Sequence, residues 1–155
     1  MGTTPFSKNV EVRWSDLDPN FHLRHSVYYD LCATARIGFL ASVGLSMHTF
    51  IENHFGPILF REECIFKKEI LFGDTVTIKA LVLKARTDYS RWTIIHEIWK
   101  NDETLAAILT VEGAWMDTVK RKLYTPDEKI QAMFALTPKH ENFVFETVPD
   151  KNPNK

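Results

Sequence analysis

Apolar and polar residues alternate along most of this chain, which is the pattern of β-strands that bury one face. The first alternation is short and runs from Val10 to Trp14. Four longer alternating segments follow the loop at Gly56-Pro57. Their apolar phases extend over Ile58 to Phe72, Val76 to Val82, Trp92 to Ile98 and Leu105 to Trp115. Four consecutive strands of this kind predict an antiparallel meander.

One long helix is predicted between the first strand and the meander. Its apolar segment runs from about Ser26 to Val43, and Gly44 suits the position just after a helix end. Apolar residues cover most of the circumference, so this helix must be enclosed on several sides. A short second helix is predicted to begin with Thr125 as its N-cap and Pro126 at its first position, and to end near Leu136.

The element order predicts an α+β domain in which a sheet of about five strands curls around the long helix. The other face of that sheet then needs a partner, so we expect a dimer. No repeat or linker divides the chain, and we expect a single domain over residues 1–155. Its core is expected over about residues 8–136, with a frayed tail at residues 150–155.

The composition fits a globular domain and excludes several classes of partner. With 155 residues, 45% of them hydrophobic, the chain is long enough to bury a sizeable core. Its net charge of -1 provides no positive field for a phosphate backbone, so no nucleic-acid partner is expected. No apolar stretch reaches the roughly 18 residues of a membrane span, so no membrane partner is expected either. Cys32 and Cys64 lie in apolar segments without a C-x-x-C pair, which favours a reducing, cytoplasmic location.

Charged and polar side chains are concentrated just before the long helix. Within ten residues the chain has Asp16, Asp18, Asn20, His22, Arg24 and His25. Free backbone N–H groups at a helix start can stabilise a developing oxyanion, so Asp18 and His25 are candidates for base or nucleophile and for orienter. In the alternative interpretation, the two Asp residues only make turn hydrogen bonds and the histidines lie on the surface.

Other chemistries lack their sequence patterns. The chain has no G-x-S-x-G elbow, no phosphate-binding P-loop and no G-x-G-x-x-G. A metal site built on His22 and His25 lacks a second spaced pair of ligands, so we expect neither a metal nor another cofactor. Cys32 falls in the middle of the helix among apolar neighbours, and we interpret it as a core residue rather than a nucleophile.

Two segments carry a family resemblance: Val12-Arg13-Trp14-Ser15-Asp16-Leu17-Asp18-Pro19 in the turn and Ala35-Arg36-Ile37-Gly38-Phe39-Leu40 in the helix. With a D-x-D turn and then a Tyr-containing helix that ends in A-R-x-x-F-L, the chain resembles the hotdog-fold acyl-CoA thioesterases of the 4-hydroxybenzoyl-CoA thioesterase and YbgC-like type. Phe72-Gly73-Asp74 stands where the family has a G-D turn. The resemblance covers about residues 8–125 and implies a hotdog fold, an antiparallel five-stranded sheet wrapped around one long central helix.

This resemblance implies an acyl-CoA thioesterase, which hydrolyses a thioester to a free carboxylic acid and CoA. Asp18 matches the family's catalytic carboxylate, which acts as nucleophile or general base, and His25 matches a His implicated in the YbgC-like branch. The backbone N–H at this helix start would polarise the thioester carbonyl. The implied substrate is an acyl-CoA or acyl carrier protein thioester, and the implied assembly is a homodimer or homotetramer. The expected substrate-binding residues are Trp14, His22, Arg24, Tyr28, Arg86 and Arg91, with Lys67 and Lys68 as further cations for the CoA phosphates.

Departures from the family pattern keep other functions open. Trp14 replaces a Tyr, Phe21 replaces a Gly, and Arg24-His25 replaces Asn-Asn. The second candidate function is therefore a non-catalytic acyl-thioester-binding protein. A hotdog hydratase, with the motif D-x-N-P-x-H, fits less well because Asp18 replaces the Asn and the His comes one residue late. Asp30, the acid within the helix, is the alternative catalytic carboxylate.

Overall fold

The computed structural model of the protein describes residues 4–150. Within this range the chain forms seven β-strands and three α-helices, with a 3-10 turn at Trp14–Asp16. The elements in chain order are β1 (Phe6–Val10), α1 (Val27–Ala41), α2 (Met47–Glu52), β2 (Phe55–Phe66), β3 (Val76–Arg86), β4 (Arg91–Lys100), β5 (Thr104–Asp117), β6 (Lys122–Tyr124), α3 (Glu128–Ala135) and β7 (Lys139–Glu146). The predicted frayed tail, apart from Asp150, lies outside the described residues.

One sheet contains all seven strands. Its main path has five strands in the order β1-β3-β4-β5-β2, while β6 pairs with β5 and β7 pairs with β3. Helix α1 packs on the inner face of this sheet, where the ring of Phe6 on β1 meets the ring of Phe39 edge to face. The alternating residues from Val76 to Val82 and from Trp92 to Ile98 are buried, as the sequence predicts. The long helix ends at Ala41, and Gly44 adopts a positive φ of 94° just beyond it.

Three local boundaries differ from the sequence prediction. The first strand ends at Val10 instead of continuing to Trp14, because the carboxylate of Asp16 accepts the Arg13 N–H and turns the chain into a 3-10 turn. The short helix is capped by Asp127, whose carboxylate accepts the Ile130 N–H at 2.9 Å, and not by Thr125. The strand that was predicted to extend to Phe72 ends at Phe66.

The predicted four-strand meander is correct only for β3, β4 and β5. Strand β2 pairs with β5 at the far edge of the sheet and not with β3, its neighbour in sequence. The segment after β2 therefore crosses from one edge of the sheet to the other. It leaves β2 where the N–H groups of Lys67 and Lys68 both donate to the Ala106 carbonyl.

Strand β7 is absent from the sequence prediction. It pairs with β3 in parallel over Val82–Arg86, next to the stretch of β3 that pairs with β1, so the sheet is not purely antiparallel. Helix α3 reverses the chain and makes this parallel approach feasible. The half-exposed residues of β7 carry no clear alternation, which is why the pattern did not show it.

A buried histidine links the sheet to α1. His96 is fully buried on the inner face of β4, with Nδ1 3.0 Å from the Leu109 carbonyl oxygen and Nε2 3.4 Å from Nη1 of Arg36. The carbonyl can only accept, so Nδ1 carries the hydrogen and Nε2 accepts from Arg36. Burial, together with the charge of Arg36, lowers the pKa of His96 to about 3.

This histidine should make the fold sensitive to acid. In the unfolded chain His96 binds a proton near its usual pKa of 6.5, whereas the folded chain resists protonation until the pH approaches about 3. Stability should therefore decline as the pH falls through this window, by up to about 1.4 kcal/mol per pH unit. Urea unfolding of His96→Gln should show a shallower decline than the unsubstituted protein, and equal slopes would contradict the assignment.

Candidate functional site

The turn that contains Asp18 is closed by its own hydrogen bonds. The Asp18 N–H donates to the His22 carbonyl at 2.8 Å, and the Phe21 N–H donates to the Asp18 carbonyl at 3.0 Å. Oδ1 of Asp18 accepts the N–H groups of Asn20 at 2.9 Å and His22 at 3.1 Å. Oδ2 has no hydrogen-bond partner within residues 4–150. One carboxylate oxygen therefore builds the turn, and the other is available for chemistry.

Asp16 has a structural role only. It is 2% exposed and accepts hydrogen bonds from the backbone N–H of Arg13 at 2.9 Å and from the Arg13 guanidinium at 2.9 and 3.2 Å. The hydrogen bond from the guanidinium holds the pKa of the Asp16 carboxyl below its usual range. The turn-forming interpretation thus accounts fully for Asp16, but for only one of the two carboxylate oxygens of Asp18.

Backbone donors are free where α1 begins. The Val27 N–H donates to the Arg24 carbonyl at 3.0 Å, but the N–H groups of His25 and Ser26 have no acceptor in the described part of the chain. The Ser26 side chain caps none of them and instead accepts from Nε of Arg24. Uncapped N–H groups at a helix start carry a partial positive charge, which suits a developing oxyanion.

Asp18 and the helix start open into one cleft of about 320 Å³. Its lining consists of Asp18, His22, Leu23, His25, Tyr28, Phe66, Lys67, Lys68 and Glu69. Tyr28 is nearly buried, and its ring meets that of Phe66 edge to face with centroids 4.9 Å apart. Burial raises the pKa of Tyr28 to about 12, so its hydroxyl stays protonated at neutral pH. The cleft combines two carboxylates, two imidazoles, two lysines and an apolar floor.

The sequence prediction missed three residues of this cleft, Leu23, Phe66 and Glu69. Phe66 forms part of its floor, and Glu69 places Oε2 2.8 Å from Nε2 of His22. The two residues of that contact are 47 positions apart, and no local pattern relates them. They meet because the Leu23 N–H donates to the Ile70 carbonyl at 2.8 Å and so pairs the turn with the crossover segment.

Four expected binding residues lie outside the cleft lining: Trp14, Arg24, Arg86 and Arg91. Trp14 is 68% exposed and packs against Phe21 and Phe72, while Arg24 bonds Ser26 Oγ and the Ser15 carbonyl.

Arg86 and Arg91 lie at the opposite end of the sheet. Arg91 pairs with Ala114 on β5, whereas Phe66 at the cleft pairs with Ala107 on the same strand. Ala114 and Ala107 are seven residues apart, which corresponds to roughly 23 Å along β5. The guanidinium of Arg91 lies over the ring of Phe60, 4.6 Å from the centroid. Arg86 pairs with Glu146 in the register of β3 and β7. The chain by itself therefore does not bring these arginines to Asp18.

Two further features bear on the chemistry of residues 4–150. No group of three His, Cys, Asp or Glu side chains in this range is placed to hold a metal ion. In the same range, no helix is both long enough and apolar enough to cross a membrane.

Comparisons with known proteins agree with this architecture. The family described as the thioesterase-like superfamily matches residues 12–134. No curated protein matches the chain in sequence.

Solved structures show the same fold at low sequence identity. A Staphylococcus aureus protein solved in complex with CoA has a TM-score of 0.80 at 21% identity, with 100% of this chain and 96% of that chain covered. A 1,4-dihydroxy-2-naphthoyl-CoA thioesterase from Synechocystis has a TM-score of 0.73 at 18% identity, covering 85% and 96%. A gentisyl-coenzyme A thioesterase has a TM-score of 0.72 at 20% identity, covering 83% and 98%. The predicted hotdog fold is confirmed.

Proposed function

This chain belongs to the thioesterase-like superfamily and is a thioester hydrolase, and we propose that it hydrolyses an acyl-CoA to a free carboxylic acid and CoA. One observation carries the proposal. Asp18, whose Oδ2 is uncommitted, and His25, whose N–H has no acceptor within residues 4–150, line the same cleft, so a negative group and an oxyanion donor are available to one bound substrate.

In the proposed reaction, the thioester carbonyl lies against the start of α1. The N–H of His25 donates to the carbonyl oxygen and stabilises the charge that develops there. Asp18 then either attacks the carbonyl carbon or removes a proton from the water that attacks it. The carbon–sulfur bond breaks, and the electron pair leaves with the CoA sulfur.

The rest of the cleft provides for substrate binding. The apolar surfaces of Tyr28 and Phe66 suit the acyl group, and Lys67 and Lys68 on the rim suit the CoA phosphates. An acyl carrier protein thioester presents the same reacting group, without the adenosine phosphates of CoA. The contribution of Lys67 and Lys68 to substrate binding therefore depends on whether the acyl group is carried by CoA or by acyl carrier protein.

A hydrolysis screen tests this function. Purified protein is incubated with CoA thioesters of increasing chain length and with aryl-CoAs, and released thiol is measured with a chromogenic disulfide. Acyl carrier protein thioesters of the same acyl groups form the parallel series. We expect turnover with at least one CoA thioester. Binding without turnover across the screen would instead support the non-catalytic acyl-thioester-binding protein.

The proposed enzyme is a dimer that joins through β2. This strand ends the path of the sheet, so its outer backbone edge pairs with no other strand of residues 4–150, and it exposes Leu59 and Ile65. Antiparallel pairing of two copies about Glu62 places Arg61 opposite Glu63 of the partner subunit. The β-bulge at Phe60 interrupts this register before Leu59, so the regular pairing extends over the segment from Arg61 onward, which includes exposed Ile65. This segment is thus self-complementary in charge and carries an exposed apolar side chain.

Disrupting this edge should separate the subunits. The unsubstituted protein should show twice the chain mass by light scattering after gel filtration, and Ile65→Lys should shift it to the mass of one chain because a charge then replaces an apolar side chain on the paired edge. Leu136→Lys, at an exposed apolar position after α3, is the matched control and should leave the mass unchanged. A single-chain mass for the unsubstituted protein would contradict the proposed dimer.

A further inference from the structure

A carboxylate and an imidazole form a close pair in the cleft, beside Asp18. Nε2 of His22 lies 2.8 Å from Oε2 of Glu69, and both side chains line the cleft. Nδ1 of His22 has no hydrogen-bond partner among residues 4–150. Because a carboxylate only accepts, the hydrogen between the two residues is on Nε2. Nδ1 is therefore the imidazole nitrogen that can exchange a proton with a bound substrate.

The backbone fixes this pair in place. The Leu23 N–H donates to the Ile70 carbonyl, and His22 forms a bridge with Leu71, so the turn and the crossover segment are joined next to the contact. Ile70 is fully buried, and Nζ of Lys100 donates to the Glu69 carbonyl at 2.7 Å, which anchors the crossover segment. The two side chains, which are 39% and 53% exposed, therefore meet from backbone positions that are themselves anchored.

His22 is also fixed relative to Asp18. Its N–H donates to Oδ1 of Asp18, and its carbonyl accepts from the Asp18 N–H. Glu69, His22 and Asp18 thus form a continuous row along one wall of the cleft. The other charged or titratable groups at the cleft are His25 and Tyr28 from the helix side, and Lys67 and Lys68 from the end of β2.

We propose that His22 is a second catalytic residue, which donates a proton from Nδ1 to the departing CoA sulfur, and that Glu69 is its positioning residue. This proposal rests on the proposed function. As the carbon–sulfur bond breaks, the sulfur takes the electron pair and then the proton of the imidazolium, which leaves neutral His22 and free CoA thiol. If Asp18 is the nucleophile, a water then attacks the acyl-Asp18 intermediate and gives its proton to His22, which restores the imidazolium and releases Asp18 and the carboxylic acid. If Asp18 is the general base, it accepts the proton of water and passes it to His22 or to solvent.

The leaving group provides the decisive experiment. A CoA thiolate is basic, so its departure is assisted by protonation. The thiolate of 4-nitrothiophenol is much less basic and leaves readily without a proton. His22→Gln should lower kcat about 100-fold with an acyl-CoA, a typical contribution of a general acid, but less than about 3-fold with the nitrothiophenyl thioester of the same acyl group. Equal losses with the two substrates, or no loss with either, would overturn the proposal.

Glu69 is tested with the same two substrates. Glu69→Ala should reproduce the leaving-group pattern of His22→Gln in weaker form, and Glu69→Gln should retain more activity because its carbonyl still accepts from Nε2. If Glu69 had a merely structural role, Glu69→Ala would lower kcat to the same extent with both substrates. His48→Gln is the matched control, because His48 makes a chemically similar contact with Glu52, at 3.1 Å, on α2 and outside the cleft lining.

The two proposals fail in different ways. If the unsubstituted protein hydrolyses neither substrate, the proposed function fails and the role of His22 fails with it. Suppose instead that the unsubstituted protein hydrolyses both substrates and that Asp18→Asn loses activity with both. If His22→Gln then lowers kcat equally with the two substrates, only the role of His22 is wrong. Thermal unfolding of each variant identifies any loss of fold. Should His22→Gln not fold, the Glu69→Ala comparison alone decides the outcome.

Discussion

Asp18→Asn is expected to lower thioester hydrolysis by about a thousandfold or more while the fold persists. The amide is neither an anionic nucleophile nor a base, so either chemical role of Asp18 is lost. Its Oδ1 can still accept the N–H groups of Asn20 and His22, so the turn should keep its geometry. Initial rates of thiol release and the midpoint of thermal unfolding measure the two effects separately.

Asp18→Ala separates the structural contribution from the chemical one. It removes the turn hydrogen bonds as well, at about 1 kcal/mol each, so unfolding should begin several degrees lower than for Asp18→Asn. Asp30→Asn is the matched control, since Asp30 is an exposed acid on the first turn of α1 that does not line the cleft. Hydrolysis that survives Asp18→Asn but not Asp30→Asn would move the catalytic carboxylate to the helix.

Gly113→Ala is expected to be the most damaging of the small substitutions. A Cβ at Gly113 would lie 2.4 Å from Cη2 of Trp92 and 2.5 Å from the Ile58 carbonyl oxygen. Trp92 is 2% exposed and packs against Trp115 and Phe134, so its ring can move only by disturbing this aromatic cluster, and the Ile58 carbonyl belongs to the backbone of a paired strand. We expect a loss of about 3 kcal/mol in the free energy of unfolding, which lowers Tm by about 6–12 °C.

Gly56→Ala is the control for this effect. Gly56 also lies in a paired strand, but a Cβ there has no atom within 4 Å. Its free energy of unfolding should change by less than about 1 kcal/mol, as measured by urea titration. If the two variants unfold at the same urea concentration, the Trp92 ring can move aside and the packing argument is wrong.

The sequence could predict the parts of this protein whose signals are local. The two-residue period of apolar positions reports which face of a strand is buried, so the buried faces of β3 and β4 follow from the pattern, and α1 follows from its long apolar segment and the Gly44 that ends it. The D-x-D turn is local as well, since the Asp18 carboxylate hydrogen-bonds within four residues of its own position. The family resemblance adds a role for Asp18, which stays a prediction until the substitution is made.

Boundaries and caps were less predictable, because several residues compete for each of them. Thr125 and Asp127 are both good N-caps, and the choice of Asp127 depends on where α3 must start in order to bury Ile130 and Phe134. Trp14 continues the alternation of Val10 and Val12, yet the ion pair between buried Asp16 and exposed Arg13 outweighs it and bends the chain.

Only the tertiary structure decided which distant segments meet. The pairing of β2 with β5, the parallel approach of β7 to β3 and the contact of Glu69 with His22 each join residues that no short window of sequence relates. An alternating pattern specifies that a strand buries one face, but every strand offers the same backbone hydrogen bonds, so the pattern does not specify its neighbour. The sequence by itself therefore determined the central helix, the curled sheet and the D-x-D turn, whereas packing of the whole chain placed Glu69, Phe66 and the lysines around that turn.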